Sequence, residues 1–103
     1  MVEVVKSAIF DRWLRTLKDR RAAARVQVRI DRLAAGNPGD VKPVGSGISE
    51  LRIDYGPGYR VYYLREGHRL ILLLCGGDKS SQQQDIEEAK RIATDWKSDE
   101  QED

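Results

Sequence analysis

The chain has 103 residues, 40% hydrophobic and 34% charged, which fits one compact domain with a single core. No apolar run approaches the roughly 18 residues that a membrane span requires, and the first residues do not resemble a secretory signal. We therefore expect a cytoplasmic protein without membrane contact. One cysteine and one histidine exclude an intramolecular disulfide and a zinc site of several Cys and His ligands, and they leave only His68 for a catalytic triad. We expect neither a metal nor a cofactor.

The net charge of +1 conceals an uneven distribution along the chain. Residues 12–32 contain eight Lys or Arg against two Asp, whereas residues 99–103 contain four carboxylates and no base. A basic body with a short acidic tail is compatible with a polyanionic partner such as a nucleic acid. The alternative is that the arginine-rich helices are simply well solvated, and charge by itself leaves both interpretations open.

A short strand and a first helix are predicted at the start of the chain. Three valines within residues 2–5 favour a strand, although so short a segment carries little information. Apolar residues then recur at helical spacing from Ile9 to Leu17, and Ser7 is placed to cap the first turn. These features predict one amphipathic helix.

A second helix and a loop follow. Asp19 is placed to cap a helix whose apolar stripe runs over residues 22–33, and Gly36 is placed to end it. The two helices form a predicted hairpin. The segment 36–43 is rich in glycine and proline, so it is interpreted as a surface loop, and this loop carries Lys42.

Three strands and a last helix complete the predicted order β-α-α-β-β-β-α. The strands are Ile48–Tyr55, Tyr59–Arg65 and Arg69–Cys75, joined by turns at 56–58 and 66–68. The helix begins at Ser80 or Ser81 and ends before the acidic tail. We expect an α+β fold with a mainly antiparallel four-stranded sheet, a helical hairpin on one face and a C-terminal helix. Residues 1–98 form one domain, and the acidic tail 99–103 is expected to be disordered.

The predicted register separates the side chains of the first two of these strands into two faces. A three-residue loop pairs Tyr55 with Tyr59, and places Arg52 and Arg60 as diagonal neighbours roughly 7 to 8 Å apart, within reach of one phosphate. The alternative is a lattice of cross-strand ion pairs on a solvated face, and the composition leaves both open. The apolar face comprises Leu51, Ile53, Tyr55, Tyr59, Val61 and Tyr63, and the polar face Glu50, Arg52, Asp54, Arg60 and Tyr62.

The segment from Cys75 to Ser81 joins the last strand to the last helix. That strand is apolar on both faces, so a helix is needed on each, and the arginine end of the sheet becomes the wall of a concave site. Two glycines and the helix start favour an anion near Lys79, although an ordinary sharp turn is the alternative. Cys75 is interpreted as a buried side chain rather than a nucleophile, and His68 lies in a remote turn.

Taken together, segments from most of the chain resemble the RelE/ParE toxin superfamily, and within it the HigB-like "addiction module killer protein" branch of type II toxin-antitoxin systems. The resemblance covers about residues 8 to 95 and leaves out the acidic tail. The segments that carry it are Phe10–Asp19, Ala23–Leu33, Gly36–Lys42, Glu50–Ile53, Gly56–Tyr63 and Leu73–Ser80.

This resemblance implies a ribosome-dependent endonuclease of messenger RNA that a cognate, DNA-binding antitoxin holds inactive. It implies a catalytic role for Arg60 at the scissile phosphate, supported by Arg52 and by Lys79. It implies a weaker match for Lys42 as a contact to the RNA backbone. Many such toxins carry a tyrosine or histidine near the carboxyl terminus, and this chain has none there, so Glu50, Tyr59 and Tyr62 are left for proton transfer or base stacking. We predict that Lys42, Tyr62 and Glu50 bind RNA.

A second function belongs to the same superfamily. ParE-like members poison DNA gyrase by binding it, without catalysis, and a fold cannot separate the two activities. A third interpretation is a basic structural module of the ribosome or nucleoid. The convergence of Arg52, Arg60 and Lys79 favours RNA cleavage, because an inhibitor of a protein needs no phosphate site.

Overall fold

A five-stranded sheet with helices on both faces forms the protein, in a computed structural model that describes residues 2–102. The fold is α+β, as predicted, and no helix in the described range is long and apolar enough to cross a membrane. The elements in chain order are β1 (Glu3–Lys6), α1 (Ala8–Arg15), α2 (Arg20–Ala34), β2 (Val41–Gly45), β3 (Ile48–Ile53), β4 (Tyr59–Glu66), β5 (Leu70–Asp78), a 3₁₀ turn (Lys79–Ser81) and α3 (Gln82–Glu102).

The sheet has the order β1-β5-β4-β3-β2, and it is mixed because β1 runs parallel to β5 while the other pairs are antiparallel. The prediction of four strands was wrong, since β2 lies in the segment interpreted as a loop. Pro43 is tolerated there because β2 is an edge strand with a bulge beside it. Ser46 and Gly47, both with positive φ, make the tight turn into β3.

The predicted helix caps of the hairpin are confirmed. The Ser7 hydroxyl accepts a hydrogen bond from the Phe10 N–H at 3.0 Å at the start of α1. Asp19 accepts from two N–H groups in the first turn of α2, and Gly36 follows its end with φ +93°. These contacts satisfy backbone groups that a helix end otherwise leaves unpaired. Local sequence signals therefore determine where the helices of the hairpin begin and where the second one ends.

A separate apolar core covers each face of the sheet. Helices α1 and α2 pack through Phe10, Val26 and Ile30 on the face that carries Leu51 and Val61. Helix α3 covers the other face through Ala89 and Ala93, over a second set of buried residues: Ile48, Tyr62, Leu64, Leu72, Leu74 and Cys75. The prediction that the last strand is apolar on both faces is confirmed.

The register between β3 and β4 differs from the predicted one by two residues. Ile53, rather than Tyr55, lies opposite Tyr59, so residues 54–58 form a longer connection. A shift of two preserves the side of the sheet on which each residue lies, and the two predicted faces survive. Arg52 and Arg60 consequently lie directly opposite each other rather than diagonally. The turn between β4 and β5 spans 67–69 instead of 66–68.

Helix α3 continues further than the sequence predicted. We expected it to end before the acidic tail, but its backbone remains helical through Glu102. The helix needs no apolar residue in its last turn, because it extends a stretch that already packs on the sheet. Asp103, the last residue of the tail that was expected to be disordered, lies outside the described residues.

Candidate active site

A shallow cleft of about 450 Å³ lies where the β3–β4 hairpin meets the end of β5. It brings together Arg52, Arg60 and Lys79, three basic residues far apart in the chain. It does not include Lys42, Glu50 or Tyr62. The residues that line it are Asp40, Arg52, Ile53, Asp54, Gly56, Pro57, Gly58, Arg60 and Lys79.

Strand pairing explains why the three basic residues converge. Arg52 and Arg60 are cross-strand partners on β3 and β4, and Arg60 lies opposite Gly77 on β5. Lys79 follows Gly77 by two residues, in the 3₁₀ turn that leaves the sheet. Their exposure differs: the side chain of Arg60 is 10% exposed, that of Arg52 is 39% exposed, and Lys79 is exposed. The cleft therefore has a buried guanidinium at its base and more exposed charges at its rim.

A fully buried carboxylate, Glu50, lies behind the two arginines. One carboxylate oxygen, Oε1, is 3.5 Å from Arg52 Nε and 3.7 Å from Arg60 Nη1. The other, Oε2, accepts a hydrogen bond from the Tyr62 hydroxyl at 3.1 Å and one from the Gln82 side-chain amide at 2.8 Å. One oxygen thus faces the charges, while the second anchors the group to β4 and α3.

The prediction that Glu50 and Tyr62 contact RNA directly does not agree with their burial. Both residues are 0% exposed, because α3 covers this part of the sheet. Burial, together with the neighbouring Glu50 carboxylate, raises the pKa of the Tyr62 hydroxyl, so it keeps its proton and donates to Glu50 at neutral pH. Neither side chain reaches solvent, and neither can stack on a base or transfer a proton to RNA in this conformation. Tyr59 is also unavailable, since it packs in the core on the opposite face.

The cross-strand ion pairs that formed the alternative interpretation are present, but the face that carries them is only partly solvated. Arg52 also approaches Asp40, at 3.8 Å between Nη1 and Oδ1. At the centre, Glu50 is fully buried, and Arg60 is buried except where it lines the cleft. Within the described residues, Glu50 Oε1 and Arg60 Nε have no hydrogen-bond partner. The lattice is therefore electrostatically balanced but leaves hydrogen-bonding capacity unused next to the cleft.

Lys42 lies near the site but outside the cleft. It is on β2, directly opposite Glu50 on β3, and its side chain is exposed. Cross-strand partners share a face of the sheet, so Lys42 lies on the same face as Arg52 and Arg60. Its predicted role as a contact to an RNA backbone stays a prediction.

The two glycines of the corner serve packing rather than a ligand. A Cβ at Gly76 would overlap the Trp13 ring, and a Cβ at Gly77 would overlap the Asp85 carboxylate. The start of the 3₁₀ turn is capped by the carboxylate of Asp78, which accepts from the Ser80 N–H at 2.8 Å. The hydrogen bond from the Ser80 hydroxyl, followed by the one from the Ser80 N–H, lowers the pKa of Asp78, so a negative charge already lies at the start of this turn. The anion-binding role of this turn stays a prediction, whereas the expected convergence of Lys79 and Arg60 is observed in the lining of the cleft.

The two residues that the sequence analysis set aside lie away from the cleft lining. Cys75 is 3% exposed, and burial raises the pKa of its thiol to about 12, so it is not a nucleophile at neutral pH. Its thiol donates to the Asp85 carbonyl oxygen at 3.3 Å. His68 lies in the turn at the other end of β4.

Sequence reasoning missed Asp40 and Gln82 at this site, whereas it placed Asp54 on the polar face without giving it a role. Asp40 and Asp54 line the cleft, and Gln82 holds the buried carboxylate. Asp40 was overlooked because β2 was taken for a loop, so it had no position relative to β3. Gln82 was detectable as a polar residue in the first turn of a helix that must cover the face carrying Glu50.

The chain is similar to known proteins over most of its length. The family model described as "Phage derived protein Gp49-like (DUF891)" matches residues 12–97, a range that includes the whole sheet except β1. An uncharacterized protein of Haemophilus influenzae Rd is 51% identical over 92 residues, which are 89% of this chain and 93% of that protein. Every residue that lines the cleft falls within the matched range.

Proposed function

Because the chain belongs to the phage-derived Gp49-like family, a family of addiction-module, RelE-like toxins, we propose that it is the HigB-like toxin of a type II toxin-antitoxin system. In this proposal it cleaves messenger RNA on the ribosome, and a cognate DNA-binding antitoxin neutralises it. The family supports the toxin class, and the cleft supports the choice of RNA as the substrate.

The single observation that carries this proposal is the cationic cleft with a buried guanidinium. Arg60 is 8% exposed and yet lines an open cleft, beside Arg52 and Lys79. Arginine binds phosphate oxygens through two parallel N–H donors, and such bonds are strengthened where water is excluded.

The chemistry follows from the groups that line the cleft. RNA carries its own nucleophile, the 2′-hydroxyl, so the protein has to orient it and to stabilise the charge that develops on phosphorus. Arg60 and Arg52 would bind the non-bridging oxygens, and Lys79 at the rim would approach the adjoining backbone. Asp40 and Asp54 are the carboxylates of the cleft and thus the groups placed to accept a proton.

Dependence on the ribosome fits the shape of this site. The cleft is shallow, and its two carboxylates are exposed, so it does not enclose an RNA strand by itself. Acid-base groups contribute about 100- to 10,000-fold to a rate, and correct positioning of the substrate contributes at least as much, so an open site gains strongly from a substrate that arrives already oriented. A ribosome that presents an extended codon would supply that positioning.

Cleavage is tested with purified protein, translating ribosomes and a defined message. We expect new ends inside the reading frame, with a 2′,3′-cyclic phosphate on one product and a 5′-hydroxyl on the other, as attack by the 2′-hydroxyl requires. Free message without ribosomes is the control, and it should be cleaved far more slowly. An intact message, together with plasmid DNA linearised in the presence of gyrase, would replace this proposal with the gyrase-inhibitor function.

A further inference from the structure

The two arginines of the cleft pose an electrostatic problem that the fold has to solve. Arg52 and Arg60 lie directly opposite each other, and cross-strand partners have β-carbons only about 4.5 to 5.5 Å apart. Like charges at that spacing destabilise a sheet, and more strongly when one of them is buried, as Arg60 is. A neutralising group is therefore needed on the same face.

Glu50 meets that need in a particular way. Its Oε1 lies between both guanidinium groups, at 3.5 and 3.7 Å, yet it forms no hydrogen bond with either. The carboxylate offsets part of the positive charge of the two guanidinium groups, while the N–H donors are not consumed by a short bidentate pair. A carboxylate that formed a short bidentate pair with Arg60 would compete with any phosphate for the same N–H donors.

We propose that Glu50, held by Tyr62 and Gln82, is the positioning residue that keeps Arg52 and Arg60 side by side and available to a phosphodiester. This inference rests on the proposed function of the cleft. Glu50 acts only through the arginines, since it is fully buried and does not line the cleft. Tyr62 and Gln82 fix Oε2 from β4 and α3, so the position of the carboxylate depends on the covering helix as well as on the sheet.

Positioning is separated from plain stability by comparing two neighbouring glutamines. Gln82→Ala removes one donor to the Glu50 carboxylate, and Gln83→Ala removes an exposed side chain one position along the same helix. We expect Gln82→Ala to lower kcat about 3- to 10-fold, the value of one hydrogen bond to a charged or polar group. The matched Gln83→Ala variant should cleave like the wild type. Equal activity of the two variants would overturn the proposal.

Glu50→Gln gives the larger effect and a change that no simple loss of folding produces. The amide keeps the shape but removes the charge, so the two arginines repel each other and lose their alignment. We expect kcat to fall about 10- to 100-fold. Affinity for a 2′-O-methylated RNA, which cannot be cleaved, should stay equal or increase, because a negative charge behind the cleft is gone. Weakened binding with an unchanged kcat would contradict the positioning role.

A spectroscopic readout tests the arrangement independently of cleavage. In the wild type, the buried Arg60 Nε–H should exchange slowly with water and give a resolved NMR signal, and in Glu50→Gln or Gln82→Ala it should exchange faster. Arg29, whose guanidinium donates to the Arg52 carbonyl oxygen at 2.6 Å, serves as an internal reference for an intact fold. If the wild type fails to cleave RNA, the proposed function falls, but a faster Arg60 exchange in these variants still supports Glu50. Unchanged exchange in both variants refutes the role of Glu50 whatever the activity.

Discussion

Arginine side chains are concentrated in two regions of the protein, and they differ in burial and in their partners. At the sheet cleft, Arg60 is buried and faces the carboxylate of Glu50. On α2, four arginines surround a wider groove of about 730 Å³, in which Ala24 and Val28 are exposed between them. Among the described residues, none of these four is in an ion pair with a carboxylate. They are Arg21, Arg25, Arg29 and Arg32.

This difference in burial suits the arginines to different tasks. A buried arginine binds a ligand at one point, whereas exposed arginines attract a charged partner over a distance. A buried guanidinium has lost its hydration, so it is retained only with a compensating charge, and its donors point in fixed directions. Exposed guanidiniums lose little, and they raise the rate at which an acidic partner arrives. Under the proposed function, we expect the cleft to bind the RNA phosphate and α2 to attract the acidic surface of the antitoxin. Arg29 connects the regions, because it binds the backbone of β3 at the Arg52 carbonyl.

Removal of the buried guanidinium should have the largest effect. Arg60→Ala eliminates a contact to the charge of the transition state, and we expect cleavage to fall about 100- to 1,000-fold, or about 3 to 4 kcal/mol. Arg60→Lys should recover only part of this, since a point charge does not replace a bidentate donor. The measurement is messenger-RNA cleavage with translating ribosomes. Full activity of Arg60→Ala would eliminate the proposed mechanism.

The control for that variant lies on the same strand. Arg65→Ala removes an exposed arginine near the far end of β4, and it should cleave at the wild-type rate. Arg60→Ala leaves the buried Glu50 with fewer partners, so its free energy of unfolding should drop by about 1 to 3 kcal/mol. Thermal unfolding of both variants fixes a temperature at which each is folded, and activities are compared there.

A substitution in the packing behind the cleft should destabilise the protein much more than a substitution in the α2 groove. A Cβ at Gly77 would overlap the Asp85 carboxylate, so Gly77→Ala displaces this carboxylate from its hydrogen bond with the Ser81 hydroxyl. We expect it to lower the free energy of unfolding by about 1 to 3 kcal/mol. Val28→Ala, at a side chain 46% exposed, should change it by less than about 0.5 kcal/mol. Equal values in chemical denaturation would show that the two regions are packed alike.

Charge reversal on α2 should slow antitoxin binding without affecting cleavage. Arg21→Glu with Arg32→Glu reverses two exposed charges, and we expect the association rate constant to fall about 10-fold at low salt. The control reverses the exposed Arg65 and Lys97, which changes the net charge by the same amount elsewhere. Stopped-flow mixing with the antitoxin at two salt concentrations measures both pairs. A rate independent of salt would remove the steering role of α2.

The sequence predicted the parts of the fold that local chemistry determines. Helix starts are marked by Ser7 and Asp19, whose side chains accept hydrogen bonds from backbone N–H groups. A helix end is marked by Gly36, which adopts a positive φ, and all three predictions are confirmed. Alternation along β3 and β4 identified the two faces, and it tolerated an error of two residues in the register. Strand β2 was missed because an edge strand can contain proline and glycine, so its composition is that of a loop.

The sequence predicted which basic residues meet at the candidate site, but it did not predict which residues of the site are buried. Arg52, Arg60 and Lys79 were found from alternation and resemblance, and they do line one cleft. Glu50 and Tyr62 were assigned to RNA because they share the polar face. Their burial depends on where α3 crosses that face, a tertiary feature that no local pattern encodes. The same crossing brings Gln82 to the carboxylate.

The acidic end of the chain should have the smallest effect. Asp99 is exposed, and residues 99–103 offer no apolar side chain to pack, so their ordering has little compensation. We expect deletion of 99–103 to change the free energy of unfolding by less than about 0.5 kcal/mol. The deletion removes four carboxylates and leaves a body of +5, so association with RNA should become modestly stronger at low salt. Thermal unfolding and binding of a 2′-O-methylated RNA test both statements, and a large loss of stability would show that the tail contributes to the packing of α3.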